Sequence, residues 1–331
     1  MRVVSLVPSA TEMVCLLGAE SCLVGRSHEC DWPPTVLDRP ALTSQSWDAT
    51  GLGPAEIDRI VSQTLAVPSM DPANSSGPSL YRLDVHRLQD LRPDLIITQD
   101  LCSVCSIDLG SVRKAAQALD PAPAILSVNP TSFEGVLDDL MTVARALGRE
   151  SAGAEAVVAL RERFFSAADF INPFTRPVPT LFLEWTDPLF VAGHWTPQLI
   201  ERAGGDPLLN PTAAMAGAGA GAGGQMAHRV AGPSRRVSTD EAAASRPEAV
   251  IVSPCGIALE SIPGLMAGLE SQNWWRGLPA VEARRVALVD GNQMFSRPGP
   301  RLVDAYEWLV GWLNDRSAVI PPGFPWRPWR A

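Results

Sequence analysis

Cys102 and Cys105 stand at a Cys-x-x-Cys spacing, the sharpest chemical signal in the chain. Two thiolates so placed can chelate zinc or another soft metal, or work as a redox pair. A metal site needs more ligands, and Cys30 with His28 supplies them if their loop meets the first; packing or ligand contact is the other reading. His28 and His194 carry imidazoles that suit the iron, cobalt or zinc centre of a bound ligand, or equally a hydrogen bond that holds a loop. Trp32, Trp47, Trp185 and Trp195 fall in expected loops, where indoles either stack on a large, flat, partly apolar ligand or plug an interface. Trp308 and Trp312 instead follow the core-facing stripe of a helix. There is no Gly-x-Ser-x-Gly elbow, no His-Glu-x-x-His helix and no Walker A loop, and no acid pair is set up for proton transfer, so the chain does not read as an enzyme.

Most of these residues lie just past short apolar runs. Leu91-Arg92-Pro93-Asp94 opens Leu95–Thr98, and Ser245-Arg246-Pro247-Glu248 opens Ala249–Val252. A run this short and this apolar predicts a strand buried on both faces, as in a parallel sheet. Its recurrence predicts two similar α/β lobes with a cleft between them, faced by the loops after the strands. In the first lobe those loops carry His28-Glu29-Cys30-Asp31 and Gln99-Asp100 with Cys102 and Cys105; Pro8 and Ser9 follow the first strand, Arg2–Val7, and join the ligand-contact set, as does Trp32. In the second they carry Glu184-Trp185, His194-Trp195, Cys255-Gly256 and Phe295-Ser296-Arg297-Pro298.

The order of elements follows from local signals. Ser9 or Thr11 is expected to cap a helix that stops at Gly18. Residues 54–66 and Leu83–Leu91 read as helices, 67–79 as an exposed loop, and Ile125–Val128 as a strand. Thr131-Ser132-Phe133-Glu134 fits a capping box ahead of a long helical region. Its second part, about 151–170, spans ~30 Å at helical rise, enough to bridge two lobes. Thr180–Trp185 restarts the strand pattern, Thr196 caps a helix with Pro197 at its first position, and Gly204-Gly205 ends it. Val286–Val289 is another strand, Leu302–Leu313 a closing helix, and the Pro- and Trp-rich tail is expected to pack irregularly. The organisation is thus an α/β lobe over 1–130, a helical connector over 131–172, a second α/β lobe over 173–316 with an Ala/Gly-rich flexible insertion at 210–235, and a tail over 317–331.

The 331 residues carry a net charge of −9, which argues against nonspecific nucleic-acid binding and against docking on anionic lipid. No stretch approaches the ~20 apolar residues of a membrane span. Glu12 interrupts the apolar N-terminal stretch and no cleavage pattern follows, so the chain as written is expected in the cytoplasm; export would require a start upstream of Met1. In a reducing compartment the six cysteines are expected as thiols or metal ligands, with Cys15 a small buried hydrophobe.

Val4-Ser5-Leu6-Val7-Pro8-Ser9-Ala10-Thr11-Glu12, with Gly18 and Val24-Gly25, resembles the N-terminus of the cobalamin- and iron-chelate-binding proteins of ABC importers. Leu91-x-Pro93-Asp94-Leu95-Ile96 resembles the element before their central strand, and the likeness runs over roughly 2–315. His28-Glu29-Cys30-Asp31, Gln99-Asp100-Leu101-Cys102-x-x-Cys105 and Arg297–Asp304 are most similar to a cobalamin-binding branch. The resemblance implies two Rossmann-like lobes joined by one long backbone helix and non-catalytic binding of a cobalamin, a related corrinoid or an iron chelate in the cleft. It also implies an ABC permease partner that docks on one acid per lobe, with Asp108 and Glu241 near suitable positions. The rival is a cytoplasmic metal-binding or redox protein on the same fold, with a zinc or iron–sulfur site built from Cys30, Cys102 and Cys105.

Overall fold

The computed structural model describes residues 1–49, 51–66, 80–101, 107–215 and 229–330. They form two compact units, and each has its own sheet.

Unit 1 comprises Met1–Leu52, Glu56–Pro130 and Gly135–Val158. Its strands are β1 (Val3–Ser5), β2 (Leu23–Arg26), β3 (Thr43–Gln45), β4 (Tyr81–Leu83), β5 (Leu95–Thr98) and β6 (Ala124–Ser127). Four make a parallel sheet in the order β2-β1-β5-β6, while β3 and β4 pair antiparallel on their own. β5 is buried along its whole length, as its continuous β-branched run predicts for a strand covered on both faces. Helices α1 (Pro8–Leu16), α2 (Pro54–Ala66), α3 (Val85–Leu91) and α4 (Leu109–Gln117) connect these strands. Val4, Leu6, Leu88, Ile96 and Val112 meet in one core cluster. At ~1.5–3 kcal/mol for each fully buried aliphatic side chain, this cluster is the main force holding the sheet to its helices.

Two helices lead onward. α5 spans Phe133–Ala146 and α6 spans Glu150–Ala168. The first half of α6 belongs to unit 1, where Gly153 lets it pack on Ala144 and Met141 of α5. The second half belongs to unit 2, where Phe164 stacks between Phe133 (4.4 Å) and Tyr306 (3.7 Å). Arg163 pairs there with Asp304 and Glu307, and Arg202 lies 5.0 Å over the Phe164 ring.

Unit 2 comprises Gly53–Ala55, Thr131–Glu134 and Ala159–Ala331. Its strands are β7 (Val178–Thr186), β8 (Leu189–Val191), β9 (Gly205–Asp206), β10 (Ala213–Ala214), β11 (Arg229–Val230), β12 (Arg235–Arg236), β13 (Ala249–Val252), β14 (Val286–Val289) and β15 (Trp326–Pro328). The main sheet runs β12-β8-β7-β13-β14-β15, with β9 pairing β7. β7, β13 and β14 are parallel, and the others on that path run antiparallel to their neighbours. Helices α7 (Trp195–Arg202), α8 (Thr239–Ala244), α9 (Ile262–Glu270), α10 (Asn273–Arg276), α11 (Pro279–Glu282) and α12 (Leu302–Leu313) complete it.

Several local expectations are corrected. α1 starts at Pro8 after an extended Val7, so Ser9 and Thr11 lie inside the helix. Proline's fixed φ begins that helix without a side-chain cap. Leu83 ends β4, and Asp84 caps α3 by accepting the Arg87 N–H. α7 begins at Trp195 with His194 as its cap, ahead of Thr196. The tail is regular: β15 pairs antiparallel with β14, and Trp329 is buried in the unit 2 core. Ala213 and Ala214 are strand, paired with Val230 and Arg229, so the Ala/Gly segment leaves from a closed stem. The rest of that segment (216–228) and the loop 67–79 lie outside the described residues.

Candidate functional site

In unit 1 the carboxyl ends of β1 and β2 carry one hydroxyl network. Thr11 donates Oγ1–H to Ser5 (2.8 Å) and lies 3.0 Å from the Cys30 sulfur, which in turn is 3.8 Å from the Ser5 carbonyl. Cys30 is fully buried in this network. A small polarizable side chain fills the space under the loop. Cys102 and Cys105 lie outside the described residues. Among the described residues no group of three or more His, Cys, Asp or Glu is arranged to hold a metal ion. Cys15, half-buried on α1, has its thiol pushed up to about 12 by burial and by nearby Glu20 and Glu12, which leaves it an inert filler.

His28 sits directly beside this network. Thr43 accepts the His28 backbone N–H (3.0 Å), lies 2.7 Å from Nδ1 and donates to Ser27 (3.0 Å). With the Thr43 proton directed at Ser27, Nδ1 is the donor to Thr43, and Nε2 lies 3.1 Å from Glu29 Oε1. Tyr81 packs on the imidazole at 5.6 Å. Thr43 and Tyr81 come from β3 and β4, which no local signal linked to His28; only the antiparallel pairing brings them there. Trp32, on the following loop, is exposed, Ser9 is buried inside α1, and Pro8 is partly buried at its start.

The end of β5 carries Gln99, buried, and Asp100, exposed. The Asp100 N–H donates to Asn129 Oδ1 (2.6 Å), and Asn129 Nδ2 donates to Ser127 (3.0 Å). Asp139 of α5 lies behind them. Burial pushes its carboxyl up to about 6, partly offset by a hydrogen bond from the Asn129 backbone N–H and reinforced by Asp138. Asn129 thus ties the Asp100 loop to a buried acid. Neither Asn129 nor Asp139 stands out in the sequence, because each takes its role from tertiary contacts.

In unit 2 the expected residues collect at or past the carboxyl ends of β7, β8, β13 and β14. The Cys255 N–H donates to the Glu184 carbonyl (3.0 Å), so these loops run side by side, with Cys255 exposed. Trp185 is the penultimate residue of β7, not a loop residue, and its indole N–H reaches the Asp187 carbonyl at 3.1 Å. Asp290 accepts the Leu259 (2.9 Å) and Gln293 (2.7 Å) N–H groups and so fixes the turn into 291–297. Arg297 is buried, with Nη2 3.2 Å from Asn292 Oδ1.

His194 and Trp195 join two of these loops. His194 has φ 55 and ψ −118, and its ring lies against that of Trp195 (centroids 5.6 Å apart). Burial lowers the His194 pKa, which favours the neutral imidazole. Trp195 is buried and donates its indole N–H to the Phe295 carbonyl (2.6 Å), so its ring is structural. Phe295 also has a positive φ, 61°. Its position was legible as part of a polar loop; its strain was not.

The two expected docking acids both take part in helix capping. Asp108 accepts the Ser111 N–H (2.7 Å) at the start of α4. Glu241 closes a capping box with Ser238 and pairs with Arg235 (2.9 Å); these bonds hold its exposed carboxyl below the usual range.

The profile of a family described as periplasmic binding protein matches residues 3–292. No curated protein matches the sequence. Among solved structures, the chain is similar to the periplasmic heme-binding protein RhuT from Roseiflexus sp. RS-1, at 22% identity over 96% of this chain and 98% of that one, with a TM-score of 0.64. It is also similar to the periplasmic vitamin B12 binding protein BtuF of Vibrio cholerae, at 17% identity, 96% and 97% coverage and a TM-score of 0.62. A periplasmic heme binding protein from Pseudomonas aeruginosa gives 20% identity, 95% and 92% coverage and a TM-score of 0.64. At these identities the three structures establish a shared fold. The profile, which spans nearly the whole chain, establishes more: the chain belongs to the periplasmic binding protein family.

Proposed function

We propose that this protein is a non-catalytic, substrate-binding component of an ABC importer, and that its substrate is a metal chelate: a corrinoid such as cobalamin, or an iron chelate of the heme type. The observation that carries the reading is the placement of His28, Glu29, Gln99 and Asp100 past the strands of one sheet, and of His194, Cys255 and Arg297 past the strands of the other, with Glu184 near the carboxyl end of β7. Open α/β sheets bind ligands at such edges. The names of the similar structures, which bind heme or vitamin B12, support the same ligand class. Imidazoles suit iron and cobalt, and partly exposed Trp32 and Trp185 offer flat apolar area to a flat ligand.

The reading places the protein outside the cytoplasm, in keeping with its family. No helix among the described residues is long and apolar enough to cross a membrane. Glu241, exposed on unit 2, suits permease docking better than Asp108, one of whose carboxylate oxygens is covered. Absorption titration of the purified full chain tests the proposal. Hemin or aquocobalamin is expected to bind at micromolar or lower concentration with a changed visible spectrum; no binding of either overturns it.

A further inference from the structure

His194 occupies a backbone position that a side chain does not favour. The Thr196 N–H donates to the Gly193 carbonyl (3.2 Å), which closes a four-residue turn over 193–196. With φ 55 and ψ −118, His194 is the first central residue of a type II′ turn, the place normally taken by glycine. The turn is held from outside. The His194 N–H donates to the Gly232 carbonyl (2.9 Å), and Gly193 lies so close to Pro233 and Ser234 that a methyl there would overlap their backbone. A second strained turn faces it: the Ser296 N–H donates to the Met294 carbonyl (2.7 Å) around Phe295 at φ 61, a γ-turn of the disfavoured hand. The Trp195 indole N–H bonds the Phe295 carbonyl and locks the two turns together. Phe295 is anchored in turn by edge contacts with Phe182 (4.9 Å) and Trp308 (6.1 Å).

Strained residues persist where surrounding structure over-determines them, and they concentrate at ligand sites. Here the over-determination is visible. The imidazole it mounts is half-buried and lies against the Trp195 face.

We infer that the 193–196 turn is a strained mount for a metal-coordinating imidazole: His194 gives a ring nitrogen to the metal of the bound chelate, with Trp195 and Phe295 as its positioning residues. This rests on the metal-chelate reading above and narrows it. An imidazole binds by displacing a weakly held axial ligand such as water, so the substrate is a chelate whose metal keeps an exchangeable axial position. A hexadentate iron chelate with every position filled offers His194 nothing.

The test compares wild type, His194→Gly and Trp195→Phe by thermal unfolding and by visible titration with hemin, aquocobalamin and a saturated ferric hexadentate hydroxamate. Wild type is expected to bind hemin or aquocobalamin with an imidazole-ligated spectrum. His194→Gly is expected to melt higher by roughly 2–4 °C, because strain is released, yet to bind about 10–100-fold more weakly without that spectrum. Millimolar free imidazole should restore the spectrum to His194→Gly. Trp195→Phe keeps the ring and loses the N–H; about tenfold weaker binding with a perturbed spectrum is expected. If wild type binds hemin or aquocobalamin and His194→Gly keeps the same spectrum, the inference fails while the chelate reading stands. Binding of the saturated chelate alone has the same consequence. A lower melting point in His194→Gly, or a wild-type spectrum in Trp195→Phe, removes the strained-mount argument. If wild type binds none of the three, both readings fall.

Discussion

The two sheets are alike where their central strands begin and unlike where they end. Arg92 and Arg246 each follow a short helix, each precede a proline, and have φ values of 41 and 44. The next acid donates its N–H to the neighbouring chain in both: Asp94 to the Arg2 carbonyl and Glu248 to the Pro179 carbonyl, each at 2.8 Å. β5 and β13 are then buried throughout. Past the carboxyl ends the likeness stops. Unit 1 builds its edge from hydroxyls in relaxed geometry, Ser5–Thr11–Cys30 and Ser27–Thr43–His28. Unit 2 builds its edge from two strained turns at His194 and Phe295. The duplicated entry to the strand is scaffold, and the divergent exits carry the proposed ligand contacts.

The contrast in rigidity is open to a direct break. A methyl at Gly291, beside the unit 2 edge, would overlap the backbone of Pro254, which cannot turn aside. A methyl at Gly25 in unit 1 would meet the ends of the Leu42 and Leu91 side chains, which can. Gly291→Ala is therefore expected to lose about 3 kcal/mol in denaturant unfolding and Gly25→Ala about 1 kcal/mol. Equal losses would erase the distinction.

A smaller effect belongs to unit 1. The folded Asp139 carboxyl titrates at about 6 against an ordinary 3.8, so between those values the folded state holds a proton that the unfolded state has released. Stability from this group is greatest below 3.8, declines as pH rises through about 6, and is flat above. Asp139→Asn removes the penalty. After allowance for its partial exposure, the variant should be more stable by about 1–2 kcal/mol at pH 7.5 and indistinguishable near pH 4. A gain independent of pH would assign the effect to packing.

The smallest effect sharpens the likeness at the amino ends. Arg92→Gly and Arg246→Gly each relieve one left-handed residue and should stabilise by about 0.5 kcal/mol, equally in the two units. His194→Gly, starting from a worse conformation, should exceed both at about 1 kcal/mol. Thermal unfolding ranks the three.

What could be read from the chain follows the same division. Apolar runs announced β5, β13 and β14, and helical periodicity gave α12 its bounds, because burial on both faces or on one stripe leaves a mark in each residue. The positions of His28, Gln99, His194 and Arg297 past strand ends were legible for that reason, whereas Glu184 and Trp185 still belong to β7. The strain was not legible. Thr196-Pro197 has good capping chemistry, yet the chain enters α7 two residues earlier, through a turn held by Gly232, far along the sequence. Cys30 drew notice beside His28 in the sequence, and only the fold shows its sulfur under Thr11. β15 was hidden because prolines and tryptophans carry little strand signal on their own; pairing with β14 makes the strand.

The most direct test of the account is anomalous diffraction, at the iron or cobalt edge, from crystals of the full chain grown with hemin or aquocobalamin. The account predicts one metal peak about 2 Å from a ring nitrogen of His194, a typical metal–imidazole distance. A metal peak remote from His194, with the turn at 193–196 unengaged, would contradict it.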